Sequence, residues 1–270
     1  MAISLNAVLT QKHILNPDLG IFRIAPEGWQ LPDFKAGQFA VVGLQASAPR
    51  IELSDPEEAP APADKWIRRA YSIASSSLGD EYLELYVALV RSGELTPRLF
   101  QLRVGARLHL SEKITGMFTL DGVSPEANLV FIATGTGVAP YMSMLRSEVL
   151  AHPERRVAVL HGARHSWDLG YGAELTTLAR HVPRFLYVPT VSRPQQELVE
   201  WRGETGHVQQ LWARGVLAKH WGQDPGPTDT HVFLCGNPAM VEDALRVLGE
   251  RGFKEHTRRD PGQVHVEKYW

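Results

Sequence analysis

The stretch Asn128-Leu-Val-Phe-Ile-Ala-Thr-Gly-Thr-Gly-Val-Ala-Pro140 runs from an unbroken apolar segment directly into a glycine turn and a proline. An apolar run of this kind bounded by glycine reads as a strand, and the turn after it as the entry to a helix. Small residues at Gly135, Thr136 and Gly137 let a phosphate-bearing ligand approach the backbone, while the amides of a helix starting near Val138 face its negative charge. Pro140 suits a first helical turn, where no intrahelical N–H is lost. The spacing departs from Gly-x-Gly-x-x-Gly: Pro140 stands at the third glycine position. The next strand, 156–161, also ends in His-Gly-Ala-Arg rather than in an acidic residue. The turn therefore predicts a bound phosphate without saying which ligand carries it.

Around this stretch the chain has two rhythms. Beyond Asp121-Gly122, strands near 128–134, 156–161, 184–190 and 230–235 alternate with helical stretches near 138–150, 171–181, 206–217 and 238–249. That is the pattern of a mostly parallel sheet covered by helices. Before it, short segments rich in Val, Ile, Tyr and Phe lie near 3–13, 19–26, 37–43, 67–74, 82–90 and 106–112, with a short helix over 95–101. These predict an antiparallel sheet closed into a small barrel. The stretch 46–64, rich in Pro, Ala, Ser and acidic residues, reads as a surface spacer. The expected boundary falls at 121–126, giving domains 1–122 and 123–270.

A chain of 270 residues has room for two such cores. A net charge of −2 offers no general attraction for nucleic acid. The single cysteine, Cys235, rules out an intrachain disulfide or a multi-cysteine iron–sulfur cluster. No export signal is visible at the amino terminus, and no apolar run is long enough to cross a bilayer, so a cytoplasmic protein without membrane attachment is expected.

Arg69-Ala70-Tyr71-Ser72 follows the 46–64 loop in an expected strand. Read functionally, Arg69 takes a phosphate, Tyr71 packs on a flavin ring and Ser72 donates to its reactive edge. Read blandly, this is a surface arginine beside a buried tyrosine and an ordinary serine. Tyr86, Val87 and Leu89 offer the backbone of a neighbouring strand. Amides near Gly93 and the Thr96 hydroxyl offer a second pyrophosphate turn, although a hairpin leading into a capped helix explains them equally well. Val232 to Cys235 is another apolar strand entering a turn, with Cys235 placed to border a nicotinamide and Gly236 permitting close approach. A buried cysteine is as often a small core residue.

Together, Arg-x-Tyr-Ser, Gly-x-x-Thr-x-x-Leu, Gly-Thr-Gly-Val-Ala-Pro, Cys-Gly-Asn-Pro-x-Met and the terminal Tyr-Trp resemble the bacterial ferredoxin (flavodoxin)–NADP reductases, in an order covering almost the whole chain. The resemblance implies a two-domain β plus α/β fold: an antiparallel Greek-key FAD-binding barrel, then a parallel-sheet nicotinamide-nucleotide domain with an FAD-capping tail. It assigns the flavin ring to Tyr71 and Ser72. The FAD phosphates go to Arg69 and Thr96 with nearby backbone, including Ala70, Tyr86, Val87, Leu89, Gly93 and Leu95, and the adenine cap to Trp270. The nicotinamide side falls to Gly135, Thr136, Gly137, Cys235 and Gly236. Ser72, Cys235 and Glu267 become the catalytic candidates, Glu267 for charge or proton balance.

A 2′-phosphate needs positive charge and planar donors. Arg164 and Ser192-Arg193 resemble the family's contacts to it, but the third basic position is His207, in Thr-Gly-His where relatives carry Thr-Gly-Arg. Neutral histidine attracts phosphate less, so NADP(H) is preferred with NAD(H) as a second nucleotide. His161 and His165 are not expected to bind metal. The implied partner is ferredoxin or flavodoxin, with Arg50, Lys65, Arg68 and Lys113 as sources of attraction for an acidic surface. A monomer is expected. Alternatives are an NAD(P)H-dependent flavin, quinone or oxygenase-component reductase, and a flavin-bearing redox sensor or docking module.

Overall fold

A computed structural model describes residues 3–59, 61–152 and 154–268. The chain groups into two compact units, one formed by the residues up to Thr119 with Ala139–Glu148, the other by Leu120–Val138 and the residues from Val149 onward.

The first unit is built on strands β1 (Ala7–Asn16), β2 (Leu19–Pro26), β3 (Phe39–Gln45), β4 (Trp66–Ser72), β5 (Leu83–Ala88) and β6 (Arg107–Leu110), with the short helix α1 (Thr96–Gln101). Their order in the sheet is β4-β3-β6-β1-β2-β5, and every pairing is antiparallel. Alternation turns Leu9, Phe22, Ile24, Val42, Ile67, Leu83, Leu85, Leu108 and Leu110 inward to one core. An isolated antiparallel bridge joins Ile73, just past β4, to Leu85 of β5.

Helix α2 (Ala139–Ser147) belongs to this unit. Its Arg146 donates to Glu84 (2.7 Å) and to the carbonyl of Ala74 (2.8 Å), and Glu84 also accepts from Arg23 at 2.8 Å. Glu84 is nearly inaccessible, and the two guanidiniums offset the cost of burying its charge.

The second unit is a six-stranded parallel sheet in the order β10-β9-β8-β7-β11-β12. The strands are β7 (Asn128–Thr134), β8 (Val157–Ala163), β9 (Phe185–Val191), β10 (Glu204–Thr205), β11 (Thr230–Cys235) and β12 (Val264–Glu267). Helices α3 (Gly172–His181), α4 (Gln209–Ala213), α5 (Val216–Trp221) and α6 (Pro238–Gly249) accompany them. The two-domain β plus α/β architecture, antiparallel then parallel, is the one expected from the sequence. Three details differ. The helix expected over 206–217 is two helices, broken where Gly215 takes φ +66°. β10 and β12 were not anticipated, being too short for alternation to register. The first strand starts later than expected and runs on to Asn16.

Among the described residues no helix is long and apolar enough to cross a membrane. Tyr269 and Trp270 lie outside the described residues, and with them the Trp270 cap.

Candidate nucleotide and flavin sites

In the parallel sheet the strand order reverses at β7, whose neighbours β8 and β11 lie on opposite sides. A crevice at the carboxyl ends of the strands forms at such a reversal. Gly135 turns out of β7 at φ +53°, a left-handed conformation with open space where a Cβ would stand. A 3₁₀ turn (Gly135–Val138) then leads into α2, with Pro140 second in that helix. A Cβ on Gly137 would lie 2.3 Å from the carbonyl oxygen of Cys235, and one on Gly236, at φ +140°, would lie 2.2 Å from Oγ1 of Thr134. Both glycines are thus required by the approach of the β7 and β11 turns to each other. The Thr134 hydroxyl accepts from the Asn237 amide at 2.7 Å, and the Asn237 side chain caps α6 by accepting from Ala239.

Cys235 is fully buried at the end of β11. Its register partner on β12 is Glu267, with 3.8 Å between Sγ and Oε2. The strand missed in the sequence is therefore what brings two of the catalytic candidates together.

A residue not singled out for this site completes it from below. His161, fully buried near the end of β8, places Nε2 3.0 Å from the carbonyl of Gly135. Burial pushes its pKa down to about 4, against a smaller upward effect of that hydrogen bond. Neutral at ordinary pH, it must carry its proton on Nε2 to donate to a carbonyl, leaving Nδ1 to accept from the Tyr187 hydroxyl at 3.4 Å. A polar residue in an otherwise apolar strand was the available signal.

Arg164 follows β8 and Ser192-Arg193 follow β9, joined by hydrogen bonds from Ser192 N–H to the Ala163 carbonyl and from Arg193 N–H to the Arg164 carbonyl, each 3.0 Å. β10 pairs Thr205 with Val191 and so sets His207 at the same end of the sheet. Arg164, Arg193 and His207 are exposed, and among the described residues no carboxylate pairs with Arg164, Arg193 or Arg202. The turn after Arg164 is held firmly: the Ser166 amide and hydroxyl both donate to Glu197 (2.7 and 2.6 Å), and His165 stacks on Trp167 with ring centroids 4.5 Å apart.

In the antiparallel unit, β4 pairs Val42 with Arg69, Ala40 with Tyr71 and Phe39 with Ser72. Arg69 and Ala70 are exposed, Tyr71 is half-buried, and Ser72 is buried. Burial raises the Tyr71 phenol well above its ordinary pKa, so it stays neutral. Tyr86, Val87 and Leu89 are buried along and just beyond β5. Arg69 donates to the Glu94 carboxylate at 2.7 Å, which places it at the turn ahead of α1. In that turn the Gly93 amide donates to the Val90 carbonyl, and the Thr96 hydroxyl donates to the same carbonyl and accepts from the Val90 amide. Thr96 thus holds the turn closed, with its one hydroxyl proton already engaged. Leu95 is buried beneath it.

The 46–64 loop is more than the expected spacer. Arg98, almost wholly buried, forms a two-pronged ion pair with Glu57 at 2.9 Å and donates to the Ala46 carbonyl at 2.7 Å. Arg50 joins Glu57 at 3.0 Å. The Arg98 guanidinium, helped by Arg50, holds the Glu57 carboxyl below its ordinary pKa despite partial burial. Arg50 is largely covered within this cluster, so it leaves the set of surface charges expected to attract a partner; Lys65, Arg68 and Lys113 remain exposed. Among the described residues no group of His, Cys, Asp and Glu is placed to hold a metal ion.

Comparison with known proteins fits this arrangement. Residues 131–246 match the oxidoreductase NAD-binding domain family. The flavodoxin/ferredoxin–NADP reductase of Buchnera aphidicola subsp. Baizongia pistaciae is 31% identical over 239 residues, 88% of each chain. Ferredoxin–NADP reductase B of Sorangium cellulosum is 39% identical over 209 residues, 75% of this chain and 78% of that one. Among solved structures, a ferredoxin NADP⁺ reductase from Neisseria gonorrhoeae with bound FAD and NADP superposes with a TM-score of 0.81 over 98% of both chains, at 24% identity. The chain belongs to the flavodoxin/ferredoxin–NADP reductase family.

Proposed function

We propose that this protein is an FAD-dependent oxidoreductase passing electrons between NADP(H) and ferredoxin or flavodoxin, as its family does. The bound cofactors supply the chemistry, hydride transfer between nicotinamide C4 and flavin N5 and single-electron exchange with the protein partner. The chain supplies binding and orientation. The observation that carries this reading is the meeting of the Gly135–Gly137 turn with the Cys235–Gly236 turn at the reversal of strand order.

In this reading Gly135, Thr136 and Gly137 leave the backbone open to the nicotinamide nucleotide, and Cys235 and Gly236 border its ring. Glu267, beside Cys235, sets the local charge. Arg164, Ser192 and Arg193 take the 2′-phosphate with His207 as a weaker third contact. Tyr71 and Ser72 face the flavin ring, and Arg69 with the turn ahead of α1 takes the FAD phosphates. The antiparallel sheet is read as a Greek-key barrel, which the order β4-β3-β6-β1-β2-β5 and the Ile73–Leu85 bridge between its end strands support. Lys65, Arg68 and Lys113 give an acidic partner a surface to approach.

The test is anaerobic rapid mixing of the purified flavoprotein with NADPH or NADH at equal concentration, following flavin bleaching. Fast bleaching by NADPH, and turnover with ferredoxin or flavodoxin, is the expected result. Faster bleaching by NADH would assign an NADH-dependent reductase, and slow, nonproductive bleaching by both a sensor.

A further inference from the structure

Three carbonyls of the turn ahead of α1, those of Arg91, Gly93 and Glu94, are engaged by guanidiniums. Arg50 donates to the carbonyls of Arg91 (3.1 Å) and Gly93 (2.9 Å), and Arg98 donates to that of Glu94 (2.7 Å). In a trans peptide the N–H points opposite to the C=O of the same unit. The amides on the far side of these three peptides are those of Ser92, Glu94 and Leu95, and among the described residues none of them has a hydrogen-bond acceptor. Guanidiniums on the carbonyl side also polarise each peptide, making its N–H a stronger donor.

The guanidiniums are themselves held. Glu57 accepts from both terminal nitrogens of Arg98 and from one of Arg50. Arg50 reaches the Asp55 carbonyl at 2.8 Å, and the Asp55 amide returns to the Arg91 carbonyl at 3.0 Å. The 46–64 loop thus contributes Arg50 and Glu57 to a cluster lying against the carbonyl face of the turn, with two positive charges and one negative.

We infer that Arg50, Glu57 and Arg98 are positioning residues that aim the amides of Ser92, Glu94 and Leu95 at the diphosphate of the flavin nucleotide. The inference rests on the reading of this turn as the FAD phosphate site. None of the three need touch the nucleotide; they act by orienting and polarising the peptides between them and it.

The experiment is titration of the apoprotein with FAD and, separately, with riboflavin, which has the ring system but no phosphate. In Arg50→Met and Glu57→Gln the dissociation constant for FAD is expected to rise about tenfold. Riboflavin binding should stay within about twofold of the parent, and Arg50→Lys should recover part of the loss. A merely structural role would weaken both ligands together, and that result would overturn the inference. Arg69→Gln separates the two levels of the reading. If it weakens FAD while Arg50→Met and Glu57→Gln do not, the brace is wrong and the phosphate site stands. If all three leave FAD binding unchanged, the phosphate site is wrong too. Arg98 is too buried for its replacement to be the deciding variant.

Discussion

Gly137 faces the carbonyl of Cys235 so closely that a single added carbon would stand 2.3 Å from that oxygen. The two residues lie on turns after neighbouring strands, and the nicotinamide pocket proposed here depends on the turns keeping that approach. Gly137→Ala should therefore cost about 1–3 kcal/mol of stability through overpacking. Gly135→Ala meets no atom and is penalised only by its positive φ. Thermal melts of both, with NADPH dissociation constants, check this; a Gly137→Ala protein as stable as the parent would contradict it.

Cys235→Ala should leave FAD bound and the fold intact, since the side chain is small and its contact with the Glu267 carboxylate is a long one, at 3.8 Å. Flavin reduction should slow by roughly 10- to 100-fold if the thiol orients the nicotinamide. The same rapid-mixing measurement reads it, and an unchanged rate would make Cys235 a core residue only.

The adenosine end makes a prediction about choice of nucleotide. Arg193→Ala should raise the KM for NADPH about tenfold or more and that for NADH far less, because a 2′-phosphate loses a charge-assisted bond that NADH never made. His207→Arg should shift the ratio the other way. Equal losses for both nucleotides would remove Arg193 from the phosphate site.

Stability should fall with acidification through buried histidines. His161 is held at about 4 and His265 at about 3, the first by burial, the second by burial and then the adjoining His256 and His231. Both lie below the ordinary value near 6.5, so the unfolded chain binds protons that the folded one refuses. Their contribution is complete above about pH 6.5 and is lost as pH falls from there through the folded values, at up to about 1.4 kcal/mol per pH unit per group. Denaturant melts at pH 7, 5.5 and 4.5 give the slope, and His161→Gln should flatten it by one group.

The two-sheet architecture was legible because its signals are local: apolar runs such as 128–134 and 230–235, and glycine turns at their ends. The Arg69–Ser72 strand and the Gly93 turn were legible as motifs. What escaped depends on partners far apart in the chain. Arg50, Glu57 and Arg98 look like ordinary surface charges until the fold brings the two guanidiniums to one set of carbonyls and the Glu57 carboxylate to both guanidiniums. His161 looks like a stray polar residue until burial and the Gly135 carbonyl fix its proton. β12 has four residues, too few for alternation to register, yet without its pairing to β11 Glu267 has no place beside Cys235.

Helix α2 follows the glycine turn of one unit in sequence and is counted with the other in packing. A chain cut at the apparent boundary near residue 122 would therefore lose a piece of its own interior. Glu84 would remain with Arg23 but without Arg146, and Phe118 would lose the Tyr141 ring 6.1 Å from its own. The first unit is not one continuous stretch of chain: a ribosome completes it only after it has read through β7, the first strand of the second.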